Sequence, residues 1–136
     1  MKSEIIFEHE SLTLTYYPEA SCILETWRGF TSFELFSSLL EEVLKLMVKN
    51  GAKNLILDTR QHRGLSPQGQ EHGVNRCTQH AKQHGQMLHA IIVPEDVFSK
   101  FSVENFVKKL DKSQLVVNAY FKEVEDALKW ITTKHD

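Results

Sequence analysis

From Leu12 to Tyr17 the chain alternates, with Leu12, Leu14 and Tyr16 set against Thr13, Thr15 and Tyr17. A period of two belongs to a strand with two unlike faces. Ile5-Ile6-Phe7 before it and Cys22 to Arg28 after it also read as strands. His9-Glu10-Ser11 and Pro18-Glu19-Ala20-Ser21 separate them, and Gly29 closes the third. Connections this short predict an antiparallel meander. The period then changes. Phe36, Leu39, Leu40, Val43, Leu44 and Met47 recur at helical spacing and make one apolar stripe. Thr31 and Glu34 have the spacing of a capping box, with Phe30 and Leu35 placed as a hydrophobic staple. Asn50-Gly51 ends this helix, the glycine supplying the left-handed cap.

Asn54-Leu55-Ile56-Leu57 predicts a central strand buried on both faces and stopping at Asp58. Thr59 to Leu65 reads as a polar loop. Ser66 as N-cap and Pro67 at the first helical position start a second helix, which runs to Gly85. Its buried face is expected to be Gly69, Gly73, Val74, Cys77 and Ala81. These residues are small, so the helix approaches the sheet closely but buries little area. Leu88 to Val93 is a further strand, ended by Pro94, and Asp96 to Phe101 a turn or short helix. Ser102 caps a helix carrying Val103, Phe106, Val107 and Leu110, and Leu115 to Phe121 is the last strand. Val124, Ala127, Leu128 and Ile131 define a C-terminal helix, with Trp130 beside that stripe. The order β-β-β-α-β-α-β-α-β-α predicts a single α/β domain over residues 1–136. Its sheet is mixed and mostly parallel, with helices on its faces and right-handed crossovers after the opening antiparallel meander.

This order resembles the STAS domain, the anti-sigma-factor-antagonist fold, and in particular its small stand-alone bacterial members. The residues that carry the likeness are Trp27-Arg28-Gly29, Leu55-Ile56-Leu57-Asp58, and Phe121 with Ala127-Leu128-Lys129-Trp130. In that family an Asp-Ser-Ser-Gly-like motif opens the second helix, and phosphorylation of one serine switches partner binding. The matching stretch here is Ser66-Pro67-Gln68-Gly69. The glycine is kept, but Gln68 stands at the phosphoacceptor position and cannot take phosphate, so the family's switch is not implied.

Composition narrows the classes. Hydrophobic content of 41% and charged content of 25% are globular values that exclude a disordered chain. A net charge of −2 gives no global footprint for nucleic acid. Charge is nonetheless polarised. Residues 1–50 carry four basic against eight acidic side chains, whereas residues 59–89 carry Arg60, Arg63, Arg76 and Lys82 against Glu71 alone. His62, His72, His80, His84 and His89 fall in the same window. Cys22 and Cys77 lack metal-ligand spacing and are expected to be reduced thiols of a cytoplasmic protein, Cys77 a structural one. No signal peptide and no membrane-spanning run are read.

The sequence-predicted site is the loop after the central strand together with the start and outer face of the second helix. It comprises Asp58, Arg60, His62, Arg63, Ser66, Gln68, Gly69, His72 and Arg76. The loop lies where open α/β sheets bind ligands, and free N–H groups of a helix N-terminus point into it. The expectation is a non-enzymatic regulatory or interaction domain that binds a protein partner, forms a homodimer readily, and needs no cofactor or metal. His80 and His84 have a metal-compatible spacing without an H-E-x-x-H pattern. The alternative is a small-ligand binder, lipid- or nucleotide-like, with Phe98, Phe101 and Phe106 lining an apolar pocket.

Overall fold

The computed structural model describes residues 1–98 and 114–133. Six strands form one mixed sheet: β1 (Glu4–His9), β2 (Leu12–Tyr17), β3 (Cys22–Gly29), β4 (Asn54–His62), β5 (Met87–Ile92) and β6 (Val116–Phe121). Their spatial order is their chain order, antiparallel from β1 to β3 and parallel from β3 to β6. The helices are α1 (Phe33–Asn50), α2 (Pro67–His84), α3 (Glu95–Phe98) and α4 (Val124–Thr132). The α/β class, the meander and the alternation after it are as the sequence predicts. The Ser102-capped helix with Val103, Phe106, Val107 and Leu110 lies outside the described residues, as does the Ser99–Phe101 end of the short helix.

Neighbouring residues of the central strands point to opposite layers. Ile23, Trp27, Leu55 and Met87 join Phe36, Leu39, Leu40, Val43 and Cys77 in the core beneath α1 and α2. Cys22, Leu24, Ile56, Leu88 and Val117 join Ala127, Trp130 and Ile131 in the core beneath α4. The two buried cysteines therefore lie on opposite faces of the sheet and are unbridged. Among the described residues no helix is long and apolar enough to cross a membrane.

Three local expectations are corrected. The cap of α1 is Ser32, whose Oγ accepts from Leu35 N at 3.1 Å, not Thr31. The Thr31 hydroxyl is buried and bonded to His62 Nε2 at 3.0 Å, so it is not free to cap. No staple forms on Phe30, which is 75% exposed. Second, the central strand does not stop at Asp58. Its pairing with β5 ends there, at Asp58↔Ile92, but pairing with β3 continues to Gly29↔His62. Between Thr26↔Asp58 and Arg28↔Gln61, β4 contains one residue more than β3, a bulge that hides the strand in a polar run. Third, α2 is turned from its expected face: Val74 is 67% exposed, and His80 is buried with Gly69, Cys77 and Ala81. On the flank that faces α1, His72 and Arg76 bond Ser37 and Glu41 of that helix.

The two interior glycines of α2 are not equivalent. A Cβ on Gly73 would sit 3.5 Å from Phe36, an ordinary contact, whereas one on Gly69 would sit 2.6 Å from Leu65. Gly73→Ala is expected to raise stability by up to about 1 kcal/mol in urea denaturation through helix propensity alone. Gly69→Ala should give less or none of this gain, because Leu65 must first move.

Candidate binding surface at the carboxyl end of the sheet

The bulge in β4 determines what this end of the molecule offers. Asp58 is 4% exposed. Its Oδ1 accepts from the Arg60 backbone N–H and from Arg60 Nε, both at 3.0 Å, and its Oδ2 accepts from Arg60 Nη2 at 2.8 Å. The carboxylate thus stops the turn of the chain with a backbone N–H and holds the next-but-one side chain in a fork. Arg60 extends further, to the Lys122 carbonyl and to Glu123 Oε2, both at 3.4 Å. Asp58 first, and Glu123 beyond it, hold the guanidinium pKa above its usual range. Thr59 Oγ1 donates to the Ile92 carbonyl at 2.7 Å. The predicted basic loop is instead a braced strand end, and Arg60 is its internal tie.

His62 is also committed. Its ring packs on Trp27 with centroids 5.7 Å apart, its Nε2 bonds Thr31, and burial lowers its pKa. Ser66 Oγ accepts from Gly69 N at 3.1 Å, as a cap should. Gly69 is buried, as expected for close approach. His72 bonds Ser37 Oγ at 3.2 Å and meets Phe33 edge-on. Arg76 makes a two-pronged pair with Glu41 at 2.7 and 2.8 Å, which pulls that carboxyl below its usual range. His72 and Arg76 therefore belong to the α1–α2 seam. His80 and His84 stack at 4.4 Å, and burial, ahead of charge from His84 and Arg76, lowers the pKa of His80.

What remains free lies at the tip. Arg63 is exposed, forms no ion pair among the described residues, and is fixed by its backbone N–H on the Gly29 carbonyl at 2.9 Å. The next residue after Gly29 is the exposed Phe30. Gln68, in the first turn of α2, is exposed as well. The Arg63–Gly29 bond thus sets Arg63 beside the backbone leading into Phe30, a residue that sequence reasoning assigned to a staple. The signal available was its position: a large aromatic directly after a strand-closing glycine and outside the α1 stripe.

A second missed residue lies deeper. Glu25 on β3 is 3% exposed within the core under α1 and α2, and its Oε1 accepts from Trp27 Nε1 at 3.1 Å. Burial raises its pKa to about 7, against the opposing pull of the Trp27 hydrogen bond. Cys77 of α2 is pushed to about 12, mainly by burial and secondly by the nearby Glu25. A charged letter in the run Cys-Ile-Leu-Glu-Thr-Trp was the clue. On the β6 side, an open groove of about 450 Å³ is lined by Phe98, Tyr120, Lys122, Lys129 and Trp130 among others. Phe101 and Phe106 of the expected pocket lie outside the described residues. Among the described residues no three metal-ligating side chains converge.

The brace predicts unequal mutational costs. Asp58→Ala should destabilise by about 2 kcal/mol in chemical denaturation, because it removes the buried acceptor of three hydrogen bonds from Arg60. Glu123→Gln, at a side chain 65% exposed, should cost under about 0.5 kcal/mol. Compared with known proteins, the chain matches no family model, no curated protein and no solved structure.

Proposed function

We propose that this chain is a non-catalytic, STAS-like interaction module of a bacterial cytoplasm, regulatory in role, which binds a protein partner through the carboxyl end of its sheet. The observation that carries the reading is a 75% exposed Phe30 and an Arg63 that forms no ion pair among the described residues, set on neighbouring backbone fixed by the sheet. Aromatic and arginine side chains are the groups that anchor protein interfaces.

Two further features support a macromolecular partner over chemistry on a small molecule. Titratable groups of this end are spent on internal bonds, Asp58 on Arg60 and His62 on Thr31. The strand order also runs without reversal, so no crevice of the kind found at a topological switch point opens between the strands. A second copy of the chain is one partner the surface could take. Pairing through the free edge of β1 is disfavoured by its register shift and by exposed Glu4 and Glu8. The groove beside Phe98 favours the second reading, a small-ligand binder, since its volume falls within the range of ligand sites.

The test is to place a photo-crosslinking residue at position 30 or 63, identify the protein trapped in cells of origin, and measure its affinity for purified variants. Phe30→Ala and Arg63→Glu are each expected to weaken binding at least about tenfold with an unchanged melting temperature, an effect typical of an interface anchor. Arg60→Glu should lower the melting temperature instead, because it breaks the Asp58 tie. Unaltered affinity in both tip variants would overturn the reading.

A further inference from the structure

Glu25 is the one carboxyl of the described core with no cation to answer it. It projects to the same side of β3 as Ile23 and Trp27, into the layer roofed by α1 and α2. Its strand neighbours are Leu14 on β2 and Leu57 on β4. From α1 the buried residues are all apolar: Phe36, Leu39, Leu40, Val43, Leu44 and Met47. From α2 the titratable group nearest in effect is the Cys77 thiol, neutral at physiological pH. Of the other ionisable groups around this layer, Arg76 pairs with Glu41, His72 of α2 bonds Ser37, His62 of β4 bonds Thr31, His89 of β5 bonds Asn118, and His80 lies against His84. None of the ion pairs among the described residues includes Glu25. One indole N–H is its sole hydrogen-bond donor there.

Ionising a carboxyl in such a place is strongly disfavoured, whereas the neutral acid is tolerated. The structure can relieve that cost only by letting water reach the group, and the weaker part of the roof is α2. Its buried residues are Gly69, Cys77, His80 and Ala81, which bury far less apolar area than the six large side chains of α1. We propose that Glu25 is a proton-operated latch for α2: with its proton the helix lies closed on the sheet, and loss of the proton favours local opening of α2 while the rest of the fold stays intact. The opened helix would expose Glu25 and Cys77 together.

The direction follows from linkage. The closed state holds the proton up to about pH 7, whereas a solvated carboxyl releases it in the ordinary carboxylate range. The contribution to closure is thus complete below that ordinary range and is lost as pH rises through neutrality. It has the opposite sign to that of a salt-bridged acid.

Hydrogen exchange read by mass spectrometry, corrected for the intrinsic pH dependence of exchange, tests the latch on the full chain. Protection in α2 should fall roughly fortyfold between pH 5 and 7, by up to about tenfold per unit, and level off above neutrality, where both states have lost the proton. Protection in α1 and α4 should change little. In Glu25→Gln the fall should disappear, and Glu25→Met, an apolar replacement for the same space, should abolish it too, leaving at most the opposite response, a rise in protection with pH, that the lowered pKa of His80 gives. A wild-type α2 whose protection does not fall with rising pH, a fall that survives in the substituted proteins, or an equal loss across all three helices would each overturn the proposal.

Discussion

Everything at the carboxyl end of this molecule hangs on the parallel ladder between β3 and β4. These two strands are the middle of the sheet, covered by α1 and α2 on one side and by α4 on the other. Two-sided burial locks their register, because a one-residue slip would exchange Ile23 with Leu24 and Leu55 with Ile56 between layers that do not fit them. The bulge after Asp58 is tolerated inside that locked pair only because Asp58 and Arg60 satisfy the chain where the ladder is broken. The same bulge lets β4 keep pairing to His62. This brings His62 against Trp27 and Thr31 and fixes Arg63 beside Phe30.

The brace also separates charge that is structural from charge that is available. Four cationic side chains in one window look like a single basic patch when read in a row. In space Arg60 faces inward to Asp58, Arg76 faces sideways to Glu41, and only Arg63 of the three arginines meets solvent unpaired among the described residues. A partner reaching this end would meet one guanidinium beside one phenyl ring, a narrow and directional target rather than a diffuse positive field.

Much of the fold was legible because its signals are local. The period-two run from Leu12 to Tyr17, the α1 stripe, the Gly51 cap at φ 69° and the Ser66–Pro67 start all depend on residues within a few positions of each other. What was not legible depends on distant partners. Thr31 lost its capping role to Ser32 because His62, far along the chain, takes its hydroxyl. The polar run Thr59 to His62 reads as loop because half its pairing is gone and a bulge breaks the alternation. Val74 was expected inside and His80 was not, because the contacts that orient α2, such as His72 with Ser37 and Arg76 with Glu41, come from another helix. The candidate site shared this fate. Its tip residues Arg63, Ser66 and Gln68 were found by position, while Phe30 and Glu25 needed the tertiary contacts to show one left out and the other sealed in.

The strand order β1 to β6 bears on how the molecule is made. Each strand pairs with the one just synthesised before it, so the sheet can lengthen in the direction of translation without any strand inserting between two already paired. At every stage a single growing edge is unpaired, and the next stretch of chain to emerge is its intended neighbour. The earliest edge, β1, carries its own protection in Glu4, Glu8 and a register shift. A nascent chain built this way offers its neighbours on a polysome few open strands to capture, which lowers the hazard of cross-pairing that attends sheets whose central strands arrive last.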